Sequence, residues 1–162
     1  MSAPKSIVLE YLQYASVKDL SPADQELVKA AHDAALMAYA PYSKFLVGAA
    51  LRTKDGVVVI GSNQENASFP AGICAERTAL HSAMAQDPTA IVETMAIVVP
   101  SVTDQRPVTP CGICRQALLE QEQRQGRKPM RLLMTVPNGP VYELASAGSL
   151  LPLSFDASFL EG

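Results

Sequence analysis

Three cysteines, each standing at the start of a predicted helix, restrict what this chain can fold into more than any other feature. They are Cys74, Cys111 and Cys114, in a chain of 162 residues. An odd number cannot close into a disulfide framework. Cys74 opens Cys74-Ala75-Glu76, and the other two flank the start of a later helix in Pro110-Cys111-Gly112-Ile113-Cys114. Two thiolates across a helix N-terminus can grip one ion. The exposed N–H groups and the helix dipole there favour the thiolate form. Soft thiolates select zinc in a neutral aqueous compartment.

The number of ligands separates two kinds of site. A structural zinc is closed by four protein ligands, whereas a catalytic one keeps a position for water. His81 is a possible fourth ligand, but it lies two turns along the Cys74 helix, roughly 10 Å down the axis. His32 belongs to another helix, and spacing alone does not exclude it. Glu76 has an ordinary role as a first-turn carboxylate favoured by the dipole. Beside an open metal position it can instead take a proton from water. Three thiolates on one dication weaken its Lewis acidity, so something must withdraw charge from the sulfurs. Arg77 follows Glu76, and Arg115 and Gln116 follow Cys114; all three can donate hydrogen bonds to the sulfurs, with Arg77 the stronger candidate. The competing readings are a closed structural zinc, a set of buried free cysteines, and arginines that merely lie on helix surfaces.

The rest of the chain supplies the frame. Ser21-Pro22 is a helix start, a capping hydroxyl followed by proline at the first helical position. Leu27, Ala31, Ala34, Ala35 and Ala38 recur at helical spacing toward Pro41. Apolar runs over 46–53 and 57–61 around Lys54-Asp55-Gly56 predict a β-hairpin. Helices are expected over 75–85 and 112–124, with strands over 94–99, 132–136 and 141–144. Helices alternating with apolar strands imply a three-layer α/β/α sandwich around a mixed sheet of about five strands. Residues 1–20 are ambiguous between strand and helix and read as an N-terminal extension, followed by one domain over 21–162.

Composition narrows the partners. The chain is 48% hydrophobic and 18% charged, with a net charge of -3 and no Lys/Arg run. A polynucleotide would find no basic track, so a small, roughly neutral ligand is expected. Glu10, Gln13 and Lys18 interrupt the apolar residues near the N-terminus, which therefore lacks a secretory core. With no membrane-spanning stretch, a reducing cytoplasm is the expected location.

Four motifs, in order, carry a resemblance. Ala40-Pro41-Tyr42-Ser43-Lys44-Phe45 with Val47-Gly48-Ala49-Ala50 comes first, then Gly61-x-Asn63-x-Glu65-Asn66-Ala67-Ser68. Cys74-Ala75-Glu76-Arg77-Thr78-Ala79 and Pro110-Cys111-Gly112-x-Cys114-Arg115-Gln116 complete the set. The general deaminase signature is a zinc ligand two residues before a glutamate, with a later Pro-Cys-x-x-Cys. The chain resembles the zinc nucleoside deaminases from about Leu20 onward. Cysteine at the first ligand position is similar to the small homotetrameric cytidine deaminases.

The resemblance implies one zinc per chain on Cys74, Cys111 and Cys114, and hydrolysis of cytidine and deoxycytidine to uridine and deoxyuridine with release of ammonia, a step of pyrimidine salvage. Glu76 would be the proton carrier. Asn63 and Glu65, two residues apart and so on one face of a strand, would hold the sugar, with turn and capping roles as their alternative. The backbone N–H of Ala75 would read the base. Phe45 would pack against base or sugar, or simply in the core. Phe155 would reach into a neighbouring subunit's site, or pack near the C-terminus. Arg77 and Gln116 would tune the sulfurs. Departures are Phe69 where many members have tyrosine, Leu153 in place of a small polar residue, a longer N-terminus, and a longer polar stretch over 120–129. Other readings are a blasticidin-type or other aminopyrimidine deaminase, a polynucleotide editor, and a zinc-stabilised binding module without catalysis.

Overall fold

A computed structural model describes residues 2–102 and 106–160. Nine principal elements run in the order β1 (Leu12–Tyr14), α1 (Pro22–Ala35), β2 (Gly48–Thr53), β3 (Val58–Ser62), α2 (Ala75–Gln86), β4 (Val92–Val98), α3 (Gly112–Arg124), β5 (Arg131–Thr135) and β6 (Val141–Leu144). Ser21 caps α1 by accepting from the Asp24 N–H at 3.2 Å, with Pro22 at the first position. The helix ends at Ala35, short of Pro41. Its last turn tightens through Met37 N–H to Ala34 C=O and Ala38 N–H to Ala35 C=O. The hairpin turns where expected, with Gly56 at φ +83, a conformation that residues with a Cβ rarely adopt.

The strands form one sheet of order β1-β6-β5-β4-β2-β3. Only β4 and β5 pair in parallel, joined through α3; the other four pairs are antiparallel. The sheet has six strands, one more than the helix–strand pattern suggested. The added strand is β1, whose Leu12, Gln13 and Tyr14 pair with Glu143, Tyr142 and Val141. Its three residues are too few to show a period, so only the free edge of β6 makes them a strand.

Side chains alternate across the sheet and divide the core. Ala50, Ala96, Val98, Leu133 and Val141 meet Leu27, Val28 and Ala31 of α1 on one face. Ala49, Leu51, Met95, Ile97, Leu132 and Met134 meet α2 and α3 on the other. The three-layer architecture follows from this strict alternation. Two glycines set how closely the layers approach. A Cβ on Gly48 would lie 1.9 Å from the Ala31 carbonyl, and one on Gly61 would lie 2.4 Å from the Ala79 nitrogen and 2.6 Å from the Ala75 carbonyl. Gly61 thus seats the first turn of α2 directly on β3.

Candidate metal centre and nucleoside cleft

Cys74 is the N-cap of α2 and Cys111 the N-cap of α3, while Cys114 lies in the first turn of α3. Both helices pack on the same face of the sheet, so their starts converge. The three sulfurs lie within 4.8 Å of one another, and those of Cys74 and Cys111 are 3.8 Å apart. Two sulfurs on a tetrahedral zinc stand about 3.8 Å apart, given the usual zinc–sulfur length. Among the described residues no histidine or carboxylate joins this group of ligand atoms. His32 is excluded by the fold, because α1 covers the opposite face of the sheet, and its ring lies by Asp33. His81 is exposed further along α2.

The electrostatics suit a cation. The hydrogen bond with Cys114 does most to lower the Cys74 thiol, to about 5, and Cys111 and Arg77 assist against the opposing effect of burial. The same bond, burial and the adjacent negative charges push Cys114 up. A cation among the sulfurs would relieve that mutual repulsion. The Arg77 guanidinium faces Cys74 and Cys114, and its Nε is buried without a protein acceptor. Arg115 behaves differently. It brackets the loops through the Pro110 and Leu150 carbonyls and the Thr109 hydroxyl, at 2.8 to 3.1 Å. Gln116 donates to the Phe155 carbonyl at 3.1 Å and is thereby spent on the C-terminal segment.

Glu76 is 5% exposed. Burial raises its carboxyl, and the negative charge at Cys74 adds to the effect, while a hydrogen bond with Cys114 and the charge of Arg77 oppose it. The carboxyl therefore stands against the sulfur cluster in a poorly solvated place.

A cleft of 690 Å³ opens beside the sulfurs. Tyr42, Ser43, Asn63, Glu65, Phe69, Ile73, Cys74, Arg77 and Ile113 are among its walls. Asn63 bridges the preceding loop, with Nδ2 donating to the Phe45 carbonyl and Oδ1 accepting from the Val47 N–H, both at 2.8 Å. Glu65 accepts from the N–H groups of Tyr42 and Ser43 at 2.9 and 3.3 Å and from the Ser43 hydroxyl. The Ser43 bond is the main reason its carboxyl lies below the usual range. Phe69, the tyrosine replacement, meets Tyr42 edge-on with ring centroids 6.0 Å apart.

The chain's four cleft motifs thus meet at one place, with a thiolate cluster at one end. The family model of the cytidine and deoxycytidylate deaminase zinc-binding region matches residues 21–125, which span the cleft walls and all three cysteines. The chain belongs to that family. The three sulfurs form its zinc centre, and the protein is a hydrolytic deaminase. Cytidine deaminase of Halalkalibacterium halodurans is 51% identical over 96 residues, covering 59% of this chain and 70% of that one. The crystal structure of cytidine deaminase from Burkholderia pseudomallei superposes with a TM-score of 0.70 at 44% identity, covering 80% of this chain and 97% of the other. That from Mycobacterium tuberculosis gives 0.60 at 34%, over 81% and 95%.

Other residues that this deaminase's sequence singled out fall at the margins. Phe45 is 39% exposed, and its ring is not among the walls of the cleft. Ala75 is fully buried at the first position of α2, where its N–H belongs to the unbonded set at a helix start. Phe155 is 58% exposed and stacks on Phe159 with centroids 5.7 Å apart. Ser43 and Tyr42 were legible only as members of a motif. Their convergence on Glu65 is a contact across more than twenty residues, in a turn that ends on Lys44 at φ 58, which no local pattern announces.

Proposed function

We propose that the protein hydrolyses the 4-amino group of cytidine and deoxycytidine, giving uridine or deoxyuridine and ammonia. The single observation that carries this reading is a buried glutamate against a three-sulfur centre at the end of a cleft lined by Asn63 and Glu65. When bound, zinc supplies Lewis acidity that lowers the pKa of water and makes it a nucleophile at neutral pH. Glu76 takes a proton from the attacking water and gives it to N3 of the base, which makes C4 electrophilic. The water oxygen bonds C4, and Glu76 then carries that hydroxyl's remaining proton to the amino group, so that the C4–N bond breaks, ammonia leaves and a carbonyl remains at C4. One carboxyl serving as base and acid needs a pKa closer to neutrality than an exposed glutamate has. The raised value of Glu76 supports that role.

Asn63 and Glu65 hold one sugar hydroxyl, the Ala75 N–H reads the base, and Arg77 stabilises the thiolates. Gln116 acts at a distance, by fixing the Phe155 carbonyl. Phe155 and Phe159 present an exposed apolar pair suited to a neighbouring subunit, in keeping with a homotetramer. Phe45 serves through its carbonyl, which anchors the Asn63 amide beside the sugar. Residues 1–20 are an extension that adds an edge strand to the domain of 21–162. The described helices include none long and apolar enough to cross a membrane, and free thiolate ligands suit a reducing cytoplasm, where the reaction would serve pyrimidine salvage.

The test is loss of ultraviolet absorbance when purified protein meets cytidine, with zinc measured on the same sample. Conversion to uridine with about one zinc per chain is expected. Zinc-loaded protein that leaves cytidine intact would overturn the reading.

A further inference from the structure

Ser43 gives its one hydroxyl two partners. It donates to Glu65 Oε1 and accepts from the Phe45 N–H at 3.0 Å. The backbone around it is shaped for this. The Lys44 N–H donates to the Ala40 carbonyl at 3.1 Å, closing a turn from which the Tyr42 and Ser43 N–H groups both donate to Glu65 Oε2, and Lys44 leaves that turn in the left-handed region at φ 58. Burial does not explain the arrangement, because Tyr42, Ser43 and Lys44 are all exposed.

The count of free positions is informative. Each carboxylate oxygen offers about two acceptor positions. Oε2 of Glu65 is filled by two N–H groups, and Oε1 has one filled by the Ser43 hydroxyl. One acceptor position is left, next to Ser43. Asn63 has likewise spent one amide hydrogen on Phe45 and one lone pair on Val47, leaving one N–H and one lone pair. The two residues line the same cleft. A hydroxyl is the group that can fill one acceptor and one donor at once.

We infer that Ser43 is a positioning residue for sugar recognition: its hydroxyl locks Glu65 so that the last acceptor of that carboxylate and the last N–H of Asn63 jointly take one hydroxyl of the nucleoside. This rests on the sugar-binding reading of Asn63 and Glu65. The low pKa of Glu65 agrees with it, since an ionised carboxylate can only accept. Without Ser43 the carboxylate keeps its two backbone donors but gains freedom about the Oε1 position, and the sugar contact loosens.

The experiment compares kcat/KM for cytidine, 2′-deoxycytidine and 3′-deoxycytidine in the zinc-loaded wild type and in Ser43→Ala, Ser43→Cys, Ser43→Thr and Glu65→Ala. Zinc content and Tm are recorded for each. Wild type loses roughly tenfold or more when the recognised hydroxyl is removed. Ser43→Ala and Ser43→Cys lose about tenfold on cytidine, mainly in KM, and the penalty for the missing hydroxyl falls to about twofold or less. Ser43→Thr, which keeps a hydroxyl, restores the penalty. A full penalty in folded Ser43→Ala or Ser43→Cys, with the penalty abolished in Glu65→Ala, would overturn the role of Ser43 while leaving the sugar reading intact. A penalty that survives in Glu65→Ala would remove the sugar reading, and the inference with it.

Discussion

At the scale of single residues, Glu76 and Arg77 act on opposite sides of one charge problem. In the proposed mechanism the sulfurs need positive charge nearby, whereas the carboxyl needs its own negative charge disfavoured enough to be protonated during turnover. Burial supplies the second condition and the Arg77 guanidinium beside Cys74 and Cys114 the first. Glu76→Gln keeps shape and packing but cannot carry protons. It is expected to retain zinc and lose on the order of 10²- to 10⁴-fold in kcat. Steady-state rates and metal analysis of one preparation check this, and a zinc-loaded variant with normal turnover would contradict the proton-carrier role. Arg77→Leu removes the donor facing Cys74 and Cys114, so zinc affinity should fall roughly 10- to 100-fold. Competition with a chromophoric chelator reads that affinity directly.

At the scale of elements, the site is two helix starts held at a fixed separation by the sheet beneath them. The α2 start rests on β3 through Gly61, where there is no space for a methyl group. Gly61→Ala would push backbone against backbone at Ala75 and Ala79, which cannot rotate away as side chains do. The expected cost is about 2–3 kcal/mol, with Cys74 displaced from its partners on α3. Weaker zinc retention should therefore accompany the lower Tm, and normal zinc affinity in this variant would show that α2 adjusts independently of its first turn. The α3 side is anchored differently. The buried Glu122 carboxylate accepts from the Met130, Ala147 and Gly148 N–H groups and the Ser146 hydroxyl, at 2.8 to 3.2 Å. One side chain thus ties the last turn of α3 to the start of β5 and to the chain after β6.

At the scale of the whole molecule, a polar network joins the first helix, the sheet and the added strand. Asp24 pairs with Arg52 at 2.9 Å and Arg131 at 3.2 Å, Arg131 pairs with Glu143 at 3.0 Å, and the Tyr14 hydroxyl donates to Glu143 at 3.0 Å. Burial raises the Asp24 carboxyl, but Arg52, Ser21 and Arg131 outweigh it and hold the group below its ordinary value. A depressed pKa contributes stability that is complete above the unfolded-state value and is lost as pH falls through the folded one. Acid should therefore weaken the fold below about pH 4. Asp24→Asn should cost about 2–3 kcal/mol near neutrality, below the full price of an orphaned buried pair because both guanidinium groups reach solvent. It should also flatten the acid limb of a Tm-against-pH curve. An unchanged limb would assign acid sensitivity to other carboxylates.

The sequence by itself determined the features that rest on neighbours along the chain. Ser21-Pro22 started a helix, Asp55-Gly56 turned a hairpin, and three cysteines at helix starts declared a soft-metal site, because capping, turn chemistry and thiolate stabilisation all act within a few residues. Helices alternating with apolar strands likewise foretold a sheet covered on both faces. Tertiary structure decided what depends on residues far apart in sequence. Leu12–Tyr14 became a strand only because β6 had a free edge. His32 was removed from the metal site because α1 packs on the other face. Arg115 and Gln116 turned to carbonyls that the chain brings beside α3. Ser43 met Glu65 across a loop whose left-handed turn no local preference predicts. Local free energies are written in short windows of sequence, whereas these contacts exist only after the sheet has assembled and brought distant segments within hydrogen-bonding reach.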